Sequence, residues 1–278
     1  MSSGPYTPQL ATVKDVKVEV GGSARPIKTI TFTFNDPKVQ ESFNYMPGQT
    51  IMFSILGVGE SMFAISCWGK EHLQVSVMKA GKNTSAIHEL EVEDVVGARG
   101  PYGNAFPVKE WEGKNILFIG GGIGQAPLRP IIQYVLANRN KYKKLTIIYG
   151  ARTSGDLVYK DELFELEKSK DVDVHLSIDV EEEGWTRFVG FVPTNLMEVN
   201  PSPENTIAIT CGPPIMIKFV IQNLEKLGFT PDQIYTTLEA RMKCGIGKCG
   251  RCNVGNFYIC KDGPVFCWDV LKDIKADT

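Results

Sequence analysis

The sequence predicts a chain of three parts: an antiparallel β-barrel, an α/β domain with a doubly wound parallel sheet, and a small cysteine-rich module. Three observations carry this prediction. Strand-like runs extend to about Gly100, buried strands and helices alternate from Trp111 onward, and four cysteines cluster between Cys244 and Cys260. The chain is long enough for two compact domains and an appended module. The predicted boundaries are residues 1–110 for the barrel, 111–232 for the α/β domain, and 233–278 for a last strand and the module.

The composition excludes several classes of protein. The 278 residues carry a formal net charge of −2 and no basic block, so nothing indicates nucleic-acid binding. Gly and Pro break the apolar runs well below the roughly 20 residues that a membrane-spanning helix needs, and no cationic and apolar leader opens the chain. Five of the seven cysteines lie between residues 244 and 267, which is typical of metal ligands in a reducing compartment rather than of disulfides. We expect a cytoplasmic protein without membrane insertion.

The barrel is predicted from alternating polarity. Residues 28–34 read Lys-Thr-Ile-Thr-Phe-Thr-Phe, the period-two pattern of a half-buried strand. Similar runs, separated by turn residues, occupy residues 13–20, 50–56, 62–67, 73–78 and 94–98. Six short strands at such spacing favour a small antiparallel barrel.

One segment interrupts the barrel pattern. Residues 81–90 read as a loop followed by a helix of one or two turns, with Thr84 or Ser85 as the expected N-cap. A helix start exposes unpaired N–H groups with a partial positive charge, which suits a phosphate. An ordinary capped helix that closes the barrel end is the alternative, and His88 is interpreted as a surface or packing histidine.

The α/β domain begins with a short apolar run at residues 115–119, typical of a buried parallel strand. It leads into the glycine-rich turn 120–127 and then into a helical pattern at 128–136. The glycines let the backbone approach a pyrophosphate, and Pro127 suits the first helical turn. The turn lacks the G-x-G-x-x-G fingerprint, but its position between strand and helix is what a nucleotide-binding turn requires.

Strands and helices then alternate, which predicts a doubly wound sheet with ligands at the carboxyl ends of its strands. The predicted strands are residues 145–149, 172–178, 206–210 and 233–237, and the predicted helices are 160–168, 193–199 and 215–227. The loops at the carboxyl ends are 120–124, 150–156 and 211–214. Taken singly, Cys211 is interpreted as a small buried residue that ends a strand.

The cysteine-rich loop has the spacing C-x4-C-x2-C-x7-C, formed by Cys244, Cys249, Cys252 and Cys260. Plant-type [2Fe-2S] sites open with C-x4-C-x2-C but end with a distant fourth cysteine, so the match is partial. A four-thiolate zinc site and disulfides are the alternatives, although zinc sites usually have two short cysteine pairs. Cys267 is either a fifth thiol near the site or a small apolar residue.

Residues between these cysteines support a cluster. Gly245, Gly247 and Gly250 supply the positive-φ conformations that a tightly wrapped loop needs. The basic residues Lys243, Lys248 and Arg251 offset the negative charge of a thiolate-bound cluster, which favours an electron-transfer site.

Across its whole length the chain resembles the ferredoxin:NADP reductase superfamily. It is most similar to the electron-transfer subunits of anaerobic enzymes, namely those of anaerobic sulfite reductase and of dihydroorotate dehydrogenase, together with the gamma subunit of sulfhydrogenases. The motifs that carry the resemblance are residues 81–86, 99–104, 120–127, 211–214, 242–252 and 260–266.

This resemblance implies FAD in the barrel, a nicotinamide nucleotide in the α/β domain, and a [2Fe-2S] cluster on the four cysteines. The implied flavin contacts are Phe63, Ala64, Ile65, Ser66, Gly81, Lys82, Asn83, Thr84 and Ser85. The implied nucleotide contacts are Gly121, Gly122, Ile123, Gly124, Pro127, Gly150, Arg152, Asp156, Gly212, Pro213 and Met216. Cys211 takes the position of a cysteine beside the nicotinamide ring.

The sequence departs from the superfamily at one flavin motif. The pattern R-x-Y-S/T, or P-x-S-I in the nearer relatives, is replaced by Ser61-Met62-Phe63-Ala64-Ile65. The arginine that would grip a flavin phosphate is absent, and the methyl group of Ala64 replaces the hydroxyl expected near flavin N5. Lys82 and backbone N–H groups would then supply the anion contacts.

The resemblance implies a relay in which NAD(P)H reduces FAD and single electrons leave through the cluster to a partner catalytic subunit, of sulfite reductase or hydrogenase type. A non-catalytic redox-sensing or assembly subunit and a self-sufficient reductase of small acceptors are the alternatives. The coenzyme is open: Arg152 and Ser154 suit a 2′-phosphate, no clear acidic partner for the ribose is visible, and family habit favours NADH.

Overall fold

A computed structural model describes residue 4 and residues 6–274 and divides them into two compact units. Unit 1 contains the described residues up to Phe106 together with Leu238–Val265. Unit 2 contains Pro107–Thr237 and Phe266–Ile274.

The strands and helices are numbered along the chain. The strands are β1 (Gln9–Val20), β2 (Ile27–Phe34), β3 (Thr50–Ile55), β4 (Gly59–Ala64), β5 (Leu73–Met78), β6 (Val95–Tyr102), β7 (Asn115–Gly121), β8 (Leu145–Ala151), β9 (Asp173–Ile178), β10 (Phe188–Val189), β11 (Thr206–Cys211), β12 (Ile234–Thr237), β13 (Asn253–Val254), β14 (Phe257–Tyr258) and β15 (Val265–Cys267). The α-helices are α1 (Pro37–Ser42), α2 (Lys82–His88), α3 (Gln125–Ala137), α4 (Lys160–Glu167), α5 (Val192–Val199), α6 (Pro214–Lys226), α7 (Ile259–Asp262) and α8 (Trp268–Leu271).

Unit 1 is built on a six-stranded sheet in the order β4-β3-β6-β1-β2-β5. Its neighbouring strands pair antiparallel. Ser66, which directly follows β4, connects the two edge strands β4 and β5. Its N–H donates to Gln74 O of β5 at 2.9 Å, and its hydroxyl lies 3.2 Å from that of Ser76, also on β5. The sheet therefore closes on itself, which confirms the predicted barrel.

The barrel interior is filled by the apolar half of each alternating strand. Ile30 and Phe32 of β2 and Phe53 of β3 are fully buried, and the rings of Phe32 and Phe53 lie 5.1 Å apart. Because successive side chains of a strand point to opposite faces, the period-two pattern places Ile30 and Phe32 on one face. Thr29 and Thr31 on the other face are buried as well, so burial in β2 is more extensive than its alternating sequence indicates.

The cysteine-rich segment of unit 1 is attached to the end of β6 through one asparagine. The Asn104 side-chain amide donates to Asp262 O at 3.0 Å and to Val265 O at 2.8 Å, and its carbonyl accepts from Val265 N at 3.0 Å. Gly103 allows this close approach, because a Cβ atom there would lie 2.4 Å from Gly263 O. The Asn104 side chain therefore fixes the backbone of residues 262–265 against the end of β6.

Unit 2 contains a sheet in the order β10-β9-β8-β7-β11-β12-β15. Of β15, residues 266 and 267 belong to this unit. The pairings from β10 through β12 are parallel. Strand order runs outward from β7 in both directions, so a crevice opens at the carboxyl ends of its central strands. The predicted doubly wound sheet is confirmed.

The predicted strands and helices of both units are present, with ends shifted by a few residues. Seven of the strands and helices named above were not predicted from the sequence: α1, β10, β13, β14, α7, β15 and α8. None of the helices in the described part of the chain has the length and apolar character that crossing a bilayer requires.

Candidate nucleotide and thiol sites

The glycine-rich turn of unit 2 is a tightly packed connection from β7 to α3. Gly122 has φ +52°, a conformation that favours glycine. Gly124 lies directly on the end of β11, because a Cβ atom there would be 2.4 Å from Cys211 O. The Tyr149 hydroxyl donates to Gly122 O at 3.0 Å. The turn is therefore held against the ends of β8 and β11.

A cavity of about 660 Å³ opens beside this turn at the carboxyl ends of the strands. Its size and its mostly apolar wall with a few polar groups are those of a small-molecule or cofactor site. Six predicted nucleotide contacts line it: Gly121, Gly122, Gly150, Arg152, Pro213 and Met216. The remaining lining residues are Ala151, Asp179, Phe191, Val192, Pro193, Thr194, Ile215, Phe219 and Asn223.

Five other predicted nucleotide contacts, all among the described residues, lie outside the cavity lining: Ile123, Gly124, Pro127, Asp156 and Gly212. Gly212 packs against Met216, which lines the cavity, because a Cβ atom at Gly212 would lie 2.6 Å from Met216 Cε. The Asp156 carboxylate accepts from the Thr153 hydroxyl at 2.7 Å and so orders the loop after β8.

Asp179 is a cavity residue that was not predicted from the sequence. It follows β9, and its N–H donates to Ala151 O at 3.1 Å and to Arg152 O at 3.2 Å. Partial burial raises the pKa of the Asp179 carboxyl above its ordinary value, and the nearby Arg152 guanidinium opposes that rise. Only the parallel register of β8 and β9 brings these residues together, so no local motif reveals the contact.

Cys211 lies at the end of β11 with 4% of its surface exposed. Its Sγ is 2.9 Å from the hydroxyl oxygen of Thr237 at the end of β12. The main-chain carbonyl of Cys211 packs against Gly124 of the glycine turn, and Cys211 is not part of the cavity lining.

The four cysteines of the loop differ in exposure. Cys244, Cys252 and Cys260 are at most 8% exposed, whereas Cys249 is exposed. Gly245, Gly247 and Gly250 have φ of +81°, +70° and +72°, which confirms the predicted positive-φ positions. The loop therefore wraps three thiols inward and leaves one at the surface.

Main-chain N–H groups point at two of the sulfur atoms. Cys244 Sγ accepts from Lys248 N at 3.3 Å and from Cys249 N at 3.5 Å, and Cys260 Sγ accepts from Gly247 N at 3.1 Å. Burial acts to raise the pKa of the Cys244 thiol, but the N–H donors of Ile246, Cys249 and Lys248 lower it to about 6. The thiolate form of Cys244 is therefore favoured near neutral pH.

The loop cysteines influence one another. The Cys249 side chain helps to lower the pKa of the Cys244 thiol. Burial and the neighbouring Cys252 and Cys244 raise the pKa of Cys260 to about 12. Within residues 4 and 6–274, no three His, Cys, Asp or Glu side chains are spaced for a single metal ion. The loop supplies four free cysteines, the number and type of ligand that a [2Fe-2S] cluster uses.

Arg99 of β6 fixes the start of the loop. Its guanidinium donates to Cys244 O at 3.1 Å and to Lys243 O at 3.4 Å, and it forms an ion pair with Glu60 at 2.7 Å. The Tyr102 hydroxyl accepts a further bond from it at 2.8 Å. Arg99 was noted in the sequence only as part of a motif, because nothing local indicates which carbonyls it meets.

The helix start in unit 1 differs from the prediction. The expected N-cap at Thr84 or Ser85 is wrong: α2 begins at Lys82 with Gly81 as its N-cap. The Thr84 hydroxyl instead accepts from Ala80 N at 2.9 Å and from Gly81 N at 2.8 Å, because it lies one turn into the helix. His88 is 5% exposed with Nε2 2.8 Å from Val77 O, so it is a packing residue.

The implied flavin contacts fall into two groups. Ile65 and Ser66 are buried in the barrel, whereas Phe63 and Ala64 on β4 and the α2 start are partly or fully exposed. Asn83 joins the two exposed segments, because its amide donates to the Ser61 hydroxyl at 2.9 Å. Its carbonyl oxygen is buried with no hydrogen-bond partner. A bound ligand with a hydrogen-bond donor would satisfy that oxygen, so this surface fits a polar group such as a flavin.

Comparison with known families agrees with both sites. Residues 118–222 match the oxidoreductase NAD-binding domain, and residues 239–272 match the iron–sulfur cluster binding domain of dihydroorotate dehydrogenase B. The second match confirms the iron–sulfur interpretation of the cysteine loop over the zinc alternative.

Relatives match the chain almost from end to end. The gamma subunit of sulfhydrogenase 1 from Pyrococcus furiosus is 43% identical over 248 residues, which covers 86% of this chain and 85% of the relative. A probable dihydroorotate dehydrogenase B (NAD(+)) electron transfer subunit from Methanocaldococcus jannaschii is 36% identical over 239 residues and 85% of each chain. A chain of an NADH-dependent reduced ferredoxin-NADP oxidoreductase, solved in work on flavin-based electron bifurcation, matches with a TM-score of 0.74 and 22% identity over 100% of this chain and 92% of its own.

The fold is that of the ferredoxin-NADP reductases, and the two sites define an NAD-binding oxidoreductase with an iron–sulfur domain. Within that class, the chain belongs to the family of electron-transfer subunits that contains the sulfhydrogenase gamma subunits and the dihydroorotate dehydrogenase B electron transfer subunits.

Proposed function

We propose that the chain is the electron-transfer subunit of a larger redox complex. It oxidises NAD(P)H with FAD and passes single electrons through a [2Fe-2S] cluster to a partner catalytic subunit, of sulfite reductase or hydrogenase type. The observation that carries the proposal is the presence on one chain of a cavity beside a glycine turn and a loop of four free cysteines, two of whose sulfurs accept main-chain N–H bonds.

When bound, the flavin accepts two electrons as a hydride and releases them one at a time, and the iron–sulfur cluster carries one electron. The protein contributes position and electrostatics. Gly121 and Gly122 let a pyrophosphate approach the backbone, and Arg152 supplies a cation at the same cavity. Cys211, whose thiol lies against Thr237, ends β11 next to the glycine turn, and we propose that it lies near the nicotinamide ring.

For the flavin we propose contacts from β4 and the start of α2. Phe63 offers a ring for stacking, Lys82 a cation for the phosphates, and the unpaired Asn83 carbonyl an acceptor. We propose that residues 1–110 bind FAD, residues 111–232 bind NAD(P)H, and residues 233–278 contain the last strand and the cluster module. We also place the protein in the cytoplasm, because its cysteines serve as thiolate ligands in a reducing compartment.

The cluster ligands are Cys244, Cys249, Cys252 and Cys260. The N–H donors to the sulfurs of Cys244 and Cys260 stabilise thiolate charge and tune the reduction potential of a bound cluster. Cys249 is exposed together with the flanking Lys248 and Arg251. The loop therefore presents one ligand and two cations at the surface, which is where an electron acceptor would dock.

Anaerobic stopped-flow mixing of the reconstituted protein with NADH and with NADPH tests the proposal. We expect bleaching of the flavin absorbance, followed by the rhombic EPR signal of a reduced [2Fe-2S] centre. In a Cys249→Ser variant the flavin should still bleach while the EPR signal is lost. No flavin bleaching with either nucleotide would overturn the relay and favour a redox-sensing or assembly subunit.

The acceptor is tested separately. Native mass spectrometry of the complex isolated from its source identifies the subunits that travel with this chain. Fast electron delivery to a soluble physiological acceptor, with no other subunit present, would instead support a self-sufficient reductase.

A further inference from the structure

The nucleotide cavity of unit 2 has a chemically distinct side where the ends of β8 and β9 meet. In doubly wound domains the pyrophosphate lies at the glycine turn after the first strand, and the adenosine ribose lies toward the next strand. Here the first strand is β7, so the ribose side is formed by Arg152 after β8 and Asp179 after β9, both of which line the cavity.

The position of Asp179 is fixed by the backbone. Its N–H bonds to Ala151 O at 3.1 Å and to Arg152 O at 3.2 Å hold the end of β9 against the end of β8. The carboxylate itself is exposed to the cavity. An exposed carboxylate on a fixed backbone is suited to accept a hydrogen bond from a ribose hydroxyl.

A second carboxylate, that of Glu182, already accepts a hydrogen bond from a main-chain N–H that could otherwise bind a 2′-phosphate. Glu182 Oε1 accepts from Ser154 N at 3.0 Å. The sequence suggests Arg152 and Ser154 as partners of a 2′-phosphate, but the main-chain donor of Ser154 is already engaged by a negative charge. A phosphate at this place would have to displace Glu182 or lie against it.

The charge balance of this side is strongly negative. Residues 150–156 and 179–183 contain one cation, Arg152, and five carboxylates: Asp156, Asp179, Glu181, Glu182 and Glu183. A dianionic 2′-phosphate would meet like charges that a neutral hydroxyl does not meet. Such repulsion discriminates between two ligands as effectively as an added attraction.

We infer that unit 2 selects NADH over NADPH, with the Asp179 carboxylate accepting a hydrogen bond from the adenosine 2′-hydroxyl and Glu182 keeping Ser154 N–H from a 2′-phosphate. The inference rests on the proposed function, because it specifies the coenzyme of the same cavity.

Binding of NAD⁺ and NADP⁺ to the oxidised holoprotein tests the selectivity without any electron transfer. Isothermal titration calorimetry should show NAD⁺ binding about tenfold or more tightly than NADP⁺, as expected for a hydrogen bond to a charged group. Asp179→Asn should reduce this ratio about tenfold, because the amide removes the repulsion of a phosphate. The double variant Asp179→Asn, Glu182→Gln should bring the ratio close to unity or below.

The matched control is Glu181→Gln, which removes an exposed carboxylate of the same acidic run that neither lines the cavity nor bonds to Ser154 N. Because solvent screens the charge of Glu181, this variant should change the ratio by less than about twofold. Equal or tighter binding of NADP⁺ by the unmodified protein would overturn the inference, and so would an unchanged ratio in Asp179→Asn. Failure of both nucleotides to bind would overturn the inference and the nucleotide site together.

Flavin reduction separates this inference from the function on which it rests. If NADPH bleaches the flavin as fast as NADH at subsaturating concentration, the selectivity is wrong and the relay stands. If neither nucleotide bleaches the flavin but NAD⁺ binds selectively, the relay is wrong and the selectivity stands.

Discussion

The guanidinium of Arg99 donates to the main-chain carbonyl of Cys244 at 3.1 Å, so a barrel strand of unit 1 holds the first cysteine of the cluster loop. Arg99 is 5% exposed, and its charge is balanced by Glu60, whose side chain is 36% exposed. A planar guanidinium can serve a carboxylate and two carbonyls at once, which a lysine ammonium cannot do with the same fixed geometry. The strand and the loop are thereby coupled within unit 1.

Replacing Arg99 should loosen the cluster loop. In Arg99→Met the carbonyls of Lys243 and Cys244 lose their donor, and the chelator-driven loss of the cluster's visible absorbance should accelerate about tenfold or more, as for other residues that orient metal ligands. Unfolding of unit 1 should become easier by about 2–3 kcal/mol, less than for a fully buried pair because Glu60 is partly solvated.

Arg187→Met is the matched control for this prediction. Arg187 also pairs with a carboxylate, that of Glu167, but it lies in unit 2 and is about a third exposed at 30%. It should leave cluster loss at the rate of the unmodified protein. Equal rates in Arg99→Met and Arg187→Met would show that Arg99 does not position the loop.

Gly124→Ala should disrupt the nucleotide turn. The added Cβ atom would lie 2.4 Å from Cys211 O, a backbone atom that has little freedom to move. We expect unit 2 to lose about 1–3 kcal/mol in free energy of unfolding, as for other overpacked sites, and NAD⁺ affinity to fall. Denaturant titration and calorimetry measure the two effects.

Gly155→Ala provides the control in the same unit. Its nearest atom to an added Cβ, Thr153 Oγ1, would be 3.8 Å away, which is ordinary contact. This variant should fold with unchanged or slightly greater stability. A Gly124→Ala protein that is as stable as Gly155→Ala would contradict the close packing of the turn on β11.

His88 should make unit 1 sensitive to mild acid. Burial lowers its pKa from 6.5 in the folded protein, and the nearby Lys28 and Lys79 act in the same direction, although the bond to Val77 O opposes them. The unfolded chain therefore takes up a proton at pH values where the folded chain does not. The stability contributed by neutral His88 is present above pH 6.5 and is lost as the pH falls below that value.

Denaturant unfolding at several pH values measures this effect. Between about pH 7.5 and pH 5.5 the unmodified protein should lose more stability than His88→Gln, by at most about 1.4 kcal/mol per pH unit below the unfolded pKa. Glutamine keeps a donor for Val77 O but does not titrate. Parallel pH profiles for the two proteins would show that His88 is not protonated on unfolding in this range.

The sequence was sufficient to predict both sheets, because each is specified by its own burial pattern. The period-two alternation in residues 28–34 places the apolar side chains on one face, although Thr29 and Thr31 on the other face are also buried. The continuous apolar run in 115–119 corresponds to a strand buried on both faces. The two-residue strand β10 has no such pattern of its own. It exists because Phe188 and Val189 lie beside Ser177 and Ile178 of β9.

The site was predictable only where its signal is local. The four cysteines proposed as ligands and the glycines of the turn after β7 stand in short motifs that the sequence displays. Asp179 and the role of Arg99 were missed because their partners are distant along the chain and meet them only through strand register and loop placement. Similarly, the capping role of Thr84 depended on where α2 begins, which sequence patterns locate less accurately than the presence of the helix.

Cys249→Ser should abolish the cluster more cleanly than substitution of a buried cysteine. Cys249 is the exposed member of the four, so its loss leaves the buried packing of Cys244, Cys252 and Cys260 in place. We expect the [2Fe-2S] EPR signal and most of the bound iron to be lost, whereas flavin content and NADH-dependent flavin bleaching persist. Iron analysis and EPR of the anaerobically reduced protein measure the outcome.

Cys267→Ser is the control for that experiment. Cys267 lies in unit 2, where its thiol donates to Pro231 O at 3.4 Å and burial raises its pKa. A serine hydroxyl can make the same bond, so this variant should keep its iron and its EPR signal. Loss of the signal in Cys267→Ser, with retention in Cys249→Ser, would mean that the cluster is held by a different set of cysteines.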